Sequence, residues 1–236
     1  MAINGIVSSE IFTDDSLNIF TDASIRRLNS GETIGCAGMI AVYGSSRKQY
    51  DRVSIIRNTT NNNSEIKAIR LGVEEAIKNK NCFKTIRLFS DSQISIFGIR
   101  DRIFKWYNCD GVLMGYEGNP IKNQDIMLEI VHMITDSNLN IEFYHQQGHV
   151  KYDKDSLLNA IHVFSASNNI RDTVSYELIR TLSEYNNYVD IKTKNVLKSL
   201  DENMLSENMN MFINALYFNY SNFDKKQYRE LTKNKL

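Results

Sequence analysis

With 236 residues, 42% of them hydrophobic and 24% charged, the chain can bury a sizeable core, as one large domain or one of about 150 residues with an appendage. Lys and Arg number 28 and so do Asp and Glu, so no net field draws the chain to nucleic acid or anionic lipid, and any polyanion contact must come from a local patch. Three scattered cysteines without a C-x-x-C pair argue against a disulfide framework and a zinc site. No apolar run approaches the roughly 20 residues of a bilayer span, and Met1 to Asp15 lacks a signal-peptide layout, so a cytoplasmic protein with no membrane contact is expected.

In chain order, Leu17 to Thr21 reads as a short buried strand with Asp22-Ala23-Ser24 at its end. Ile34 to Tyr43 is a second strand, reversing at Gly44-Ser45-Ser46, and Gln49 to Arg57 alternates as a third, antiparallel one. The polar run Thr60-Asn61-Asn62-Asn63-Ser64-Glu65 then opens a helix whose buried stripe is Ile66, Ile69, Val73 and Ile77. Asn61 or Asn62 is expected to cap it, which places Glu65 in the first turn near the positive end of the helix dipole.

Thr85 to Ser90 forms the next strand, with Asp91-Ser92-Gln93 at its end and a helix from Ile94 to Ile103. A strand–helix–strand crossover of this size makes the first and fourth strands parallel, so Asp22 and Asp91 are expected to project from C-terminal strand ends. Phe104 to Gly118 is mixed and holds Trp106, the only tryptophan. A helix starts at Ile121 and runs through Ile134, Ile141 to His145 is a fifth strand, Gln146-Gln147-Gly148-His149 leaves it, and Leu157 to Ser167 is a further helix.

This order gives an α/β fold: a five-stranded mixed sheet flanked by helices. Beyond Thr173 the apolar residues (Leu178, Ile179, Leu182; Val196, Leu197, Leu200; Met211, Ile213, Leu216) fall at helical spacing, so two to four helices are expected, packed on the main domain or forming a small one.

Asp22, Glu65 and Asp91 are far apart in the chain, and carboxylates brought together raise one another's pKa unless a cation joins them. Mg²⁺ takes oxygen ligands of this kind, and two such ions about 4 Å apart can clamp a phosphodiester undergoing hydrolysis. His149, on a Gly-containing loop, can move a proton in that step. Taken singly, an Asp after a strand is a turn or cap residue and a His after a strand is structural. Their order carries the functional reading.

In that order the segments resemble the type 1 ribonucleases H. The matching stretches are Thr21-Asp22-Ala23-Ser24, Thr60 to Glu65, Ser90-Asp91-Ser92-Gln93, Gly148-His149, and Asn119-Pro120-Ile121-Lys122-Asn123-Gln124-Asp125-Ile126, a helix start without catalytic residues. The resemblance implies an RNase H-like domain over residues 14–170 and leaves 171–236 as a helical extension. It implies an endoribonuclease that cleaves the RNA strand of RNA–DNA hybrids with Mg²⁺, or Mn²⁺ in its place. By it, Asp22, Glu65 and Asp91 are metal ligands and His149 assists proton transfer or product release. Thr60, Asn61, Asn62, Ser92 and Gln93 contact the hybrid, and Lys105 and Trp106 lie where the family grips the DNA strand.

The chain departs from the family in three places. The fourth carboxylate falls on Asn159, with Asp153 and Asp155 slightly earlier; Asn can ligate through its carbonyl but brings no charge. The protrusion around Trp106 is poor in Lys and Arg and holds Asp110 and Glu117, which weakens phosphate contact. The C-terminal helices have no counterpart, and are read as packing elements open to a protein partner or to substrate. The alternative from another class is a non-cleaving module that binds hybrid or double-stranded RNA. A strand-transfer enzyme on the same scaffold is disfavoured by the Thr60–Glu65 and Lys122–Asp125 segments.

Overall fold

Strands β1 (Ser16–Arg27), β2 (Thr33–Tyr43) and β3 (Lys48–Arg57) pair antiparallel in sequence order. The computed structural model describes residues 8–110, 112–115, 117–200 and 225–234; α1 (Ser8–Ile11) precedes β1. Helix α2 (Asn61–Asn79) crosses over to β4 (Thr85–Ser90), which lies parallel to β1. Helix α3 (Gln93–Arg100), a 3₁₀ turn (Arg102–Lys105), a small hairpin of β5 (Tyr107–Cys109) and β6 (Val112–Met114), and α4 (Gln124–Asp136) lead to β7 (Glu142–His145), parallel to β4. The five-stranded sheet has the order β3-β2-β1-β4-β7, the expected mixed RNase H-like α/β arrangement. Helices α5 (Lys154–Asn168), α6 (Tyr176–Ser199) and α7 (Lys225–Leu231) follow. No helix among the described residues is long and apolar enough to cross a membrane.

Because side chains alternate across a strand, the long apolar runs of β1 and β2 feed two cores. Leu17, Ile19, Met39 and Ala41 pack with α2 and α4 through Ile69, Val73 and Ile130. Phe20, Ile40 and Val42 pack on the opposite face with Phe164 of α5 and Leu178, Leu182 and Val189 of α6. Tyr185 of α6 stacks on Phe20, ring centroids 4.8 Å apart. The last described segment also docks: Tyr228 of α7 is fully buried and donates its hydroxyl to Ile99 O at 3.0 Å.

Several local expectations are corrected. β1 runs on to Arg27 because β2 pairs with it from Leu17↔Tyr43 to Arg27↔Thr33. Asp22 is therefore inside a strand rather than at its end. The parallel pairing with β4 stops at Thr21↔Ser90, however, so Asp22 is the first β1 residue without a β4 partner. Helix α2 is capped by Thr60, whose hydroxyl accepts from Asn63 N, rather than by Asn61 or Asn62. Glu65 consequently stands one or two residues further in, just past the first turn. Helix α4 begins at Gln124 because Asn123 is left-handed, with φ 56°. Of the expected tail helices, the stretch holding Met211, Ile213 and Leu216 lies outside the described residues.

Candidate active site

β1 outruns β4, and that offset opens the sheet edge on which polar side chains gather. Asp22 projects from the unpaired part of β1, Asp91 follows the last residue of β4, and Glu65 comes from α2. An open cavity of about 580 Å³ is lined by all three, together with Asn61, His149 and Asp190 of α6.

One oxygen of each carboxylate is held by a donor. Ala23 N–H donates to Asp22 Oδ1 at 2.7 Å, Asn61 Nδ2 to Glu65 Oε1 at 2.6 Å, and Asn186 Nδ2 of α6 to Asp91 Oδ2 at 3.2 Å. These bonds do not offset the loss of water. Burial, then the charge of Asp91, pushes the Asp22 carboxyl up to about 8, with Asp190 and Glu65 adding to the effect and the Ala23 bond opposing it. Burial likewise raises Asp91 against the Asn186 hydrogen bond and the nearby His149, and raises Glu65 against hydrogen bonds from Ser92 and Asn61. The site stabilises its own anions poorly, a condition that added positive charge relieves.

The loop after β7 closes one side. A Cβ on Gly148 would run into the Asp91 carboxylate, so only glycine lets this backbone lie so close. His149 follows with φ 51°, its ring largely exposed and Nδ1 3.8 Å from Asp190 Oδ2. Gln146 Nε2 donates to Asn186 Oδ1 at 2.9 Å, and these two buried amides lead to the half-buried Asp91, a chain linking loop, helix and strand end. His145 points elsewhere: its Nδ1 is 3.0 Å from Ser167 Oγ, and burial lowers its pKa.

The remaining expected residues divide. Asn62, Gln93 and Lys105 are exposed, as is Thr60 at the helix cap, while Ser92 is buried with its Oγ 2.7 Å from Ser95 Oγ. Trp106 requires a correction. It is 5% exposed and belongs to the core cluster of Ile99, Ile103, Leu113 and Met127, so its ring has no face to offer a nucleotide. The 3₁₀ turn ends by sending the indole inward. Asn159 is exposed and its Nδ2 donates to Gln147 Oε1 at 2.8 Å. Neither Asn159 nor Asp155 is among the cavity's lining residues, and Asp153 caps α5 by accepting from Ser156 N.

Asp190 and Asn186 were not anticipated from the sequence. A signal was present: Asn186, Asp190, Lys194 and Lys198 recur every four residues, one polar stripe on α6 beside Val189, Thr193 and Leu197. The second set faces the sheet, where Ser24 Oγ and Thr193 Oγ1 are 2.9 Å apart and Arg26 Nη1 donates to Leu197 O at 2.7 Å.

The chemistry of the donor set fits a hard divalent cation, since Asp22, Glu65 and Asp91 offer only carboxylate oxygens. Among the described residues no three His, Cys, Asp or Glu side chains already form a metal-holding group. The acids share a cavity rather than a closed coordination shell, which suits an ion held by one or two carboxylates and otherwise by water and substrate oxygens.

Comparison with known proteins gives a family match: the RNase H family profile covers residues 14–156. No curated protein matches the chain. Among solved structures, the foamy viral protease-reverse transcriptase in complex with RNA/DNA hybrid is 14% identical, with 71% of this chain and 20% of that one covered and a TM-score of 0.45. This chain thus spans about a fifth of the viral protein. LC11-RNase H1 in complex with RNA/DNA hybrid is 15% identical over 56% of this chain and 85% of that one, TM-score 0.42. RNase H1 from the halophilic archaeon Halobacterium salinarum NRC-1 is 17% identical over 56% and 86%, TM-score 0.41.

Proposed function

The chain belongs to the ribonuclease H family, and on that premise we propose that it is a divalent-metal-dependent endoribonuclease cutting the RNA strand of RNA–DNA hybrids. One observation supports this above the rest: Asp22, Glu65, Asp91 and His149, from four separate parts of the chain, line a single cavity. In this reading residues 14–170 carry the catalytic domain.

Asp22, Glu65 and Asp91 would hold Mg²⁺, or Mn²⁺ in its place. A bound pair of ions would supply the charge that a phosphodiester undergoing in-line displacement needs. The chain's own groups set the stage. Ala23, Asn61 and Asn186 each fix one carboxylate oxygen, so the acids are oriented before substrate arrives. His149, exposed at the rim, delivers a proton to the leaving oxygen. Asn61 on the cavity wall, with Thr60, Asn62 and Gln93 around it, reads the RNA strand through its 2′-hydroxyls, the groups that DNA lacks. Lys105 contacts a phosphate of the DNA strand.

The decisive experiment is incubation with end-labelled hybrid, single-stranded RNA and duplex DNA in Mg²⁺ or Mn²⁺. Cleavage confined to the RNA of the hybrid is expected. Tight hybrid binding with no cleavage at any metal concentration would replace the enzyme by a non-cleaving hybrid-binding module.

A further inference from the structure

We infer that helix α6 completes this active site, supplying Asp190 as a fourth acidic side chain for divalent-ion binding on the side where His149 enters. The inference rests on reading the cavity as a metal-dependent nuclease site. It goes beyond that reading because α6 lies wholly outside the family match.

The seat of α6 is fixed by the sheet. Gly38 is the register partner of Asp22, and a Cβ there would meet Thr193 Cγ2 at 2.6 Å and Val189 Cγ1 at 3.0 Å. The missing side chain lets α6 cross directly over the Asp22–Gly38 pair. The Ser24–Thr193 and Arg26–Leu197 hydrogen bonds then set its rotation. In that rotation the four-residue stripe turns to the cavity: Asn186 holds Asp91, and Asp190, Lys194 and Lys198 line the wall beyond it.

Asp190 is 9% exposed and lines the same cavity as Asp22 and Asp91. One oxygen, Oδ2, takes Lys194 Nζ at 2.8 Å and faces His149 Nδ1 at 3.8 Å. Lys194, Lys198 and Arg26 also line the cavity, so four acids face three basic side chains and leave an excess of negative charge, which a divalent ion would neutralise. A second observation concerns the hydrogen-bonded chain beside it. Gln146 Oε1 is buried with no hydrogen-bond partner among the described residues, an acceptor that calls for water or a hydrated ion to enter the network. Asn159 is turned to Gln147 instead of the cavity, so α6 is the element that raises the number of acids there from three to four.

The test is calorimetric titration of Mn²⁺ into the full chain near neutral pH, with circular dichroism to establish that each variant is folded. Asp190→Asn should weaken Mn²⁺ binding roughly tenfold, the lower end of what losing a supporting group costs a metal site. Lys194→Gln removes a competing ammonium and should tighten binding, an opposite sign that damage to the fold would not produce. Glu184→Gln, on the exposed pair with Arg180, should leave binding as in the parent chain. Unchanged affinity in Asp190→Asn, or weakened affinity in Lys194→Gln, overturns the inference. If the parent chain binds Mn²⁺ with these variant effects yet leaves hybrid intact, the nuclease reading falls and the role of Asp190 stands. If it cleaves hybrid while Asp190→Asn binds Mn²⁺ normally, the role of Asp190 alone falls. Absence of Mn²⁺ binding by the parent chain removes both.

Discussion

The two walls of the cavity are built by different means. On the sheet side, Asp22 and Asp91 hang from neighbouring parallel strands whose hydrogen-bond ladder sets their separation, and register alone brings them together. On the helix side, Asn186 and Asp190 reach the site only because α6 is pressed onto β1 and β2 by an apolar stripe, over a glycine that lets it approach. A wall made by register is tied to the folding of the sheet itself. A wall made by docking depends on side-chain packing, and each contact can be weakened on its own.

The largest expected effect is on the sheet wall. Asp91→Asn should lower hybrid cleavage by at least about 10²–10³-fold, the scale on which losing a group that stabilises developing charge is felt. The melting temperature should stay close to the parent's, since the new amide keeps the shape of the side chain. Undiminished cleavage in that variant would remove Asp91 from the mechanism and leave the sheet wall structural.

Next comes the docking of α6. Leu182 is 1% exposed, so Leu182→Ala should cost about 2–5 kcal/mol in urea unfolding. A single transition with a lowered midpoint would place α6 in the same cooperative unit as the sheet. Two separated transitions would make the helix wall a detachable cover and erase the comparison drawn above. Gly38→Val acts on the same contact from beneath. The added side chain collides with Thr193 and Val189, and should cost about 1–3 kcal/mol by overpacking; a neutral result in the same urea assay would mean that α6 can shift without loss.

Two smaller effects complete the series. Thr60→Ala removes the cap of α2, the helix that carries Glu65, and should lower stability by about 1 kcal/mol by thermal or urea unfolding. Cys36 offers a reporter of α6 docking, because it packs with Leu28, Ile34 and Leu197 and burial pushes its thiol up to about 11. At mildly alkaline pH, mass spectrometry after brief iodoacetamide treatment should find Cys82 and Cys109, both exposed, modified ahead of Cys36. In Leu182→Ala the protection of Cys36 should fall; equal protection would show that α6 stays seated.

Much of the sheet wall was legible in the chain. Hydrophobic runs marked five strands, and an intervening helix of crossover length required β1 and β4 to be parallel. The acids at 22, 65 and 91 stood out because each followed a strand or opened a helix. Local details failed where one residue decided between near-equal options. Thr60 rather than Asn61 capped α2, and β1 ran past Asp22 because β2 supplied partners as far as Arg27. Trp106 misled for a different reason: a large amphipathic ring beside a lysine has the same sequence signature whether it faces solvent or the core.

The helix wall could not be read this way. The four-residue stripe of Asn186, Asp190, Lys194 and Lys198 resembles any solvated helix face, and nothing local distinguishes a polar residue turned to water from one turned to a buried acid. Periodicity along the chain determined that α6 is a helix with one apolar side, because that depends only on the 3.6-residue repeat. Which strands it crosses, and so which acids it meets, was decided by tertiary packing: the vacancy at Gly38, the reach of β1 beyond β4, and the hydrogen bonds from Ser24 and Arg26 that fix its rotation.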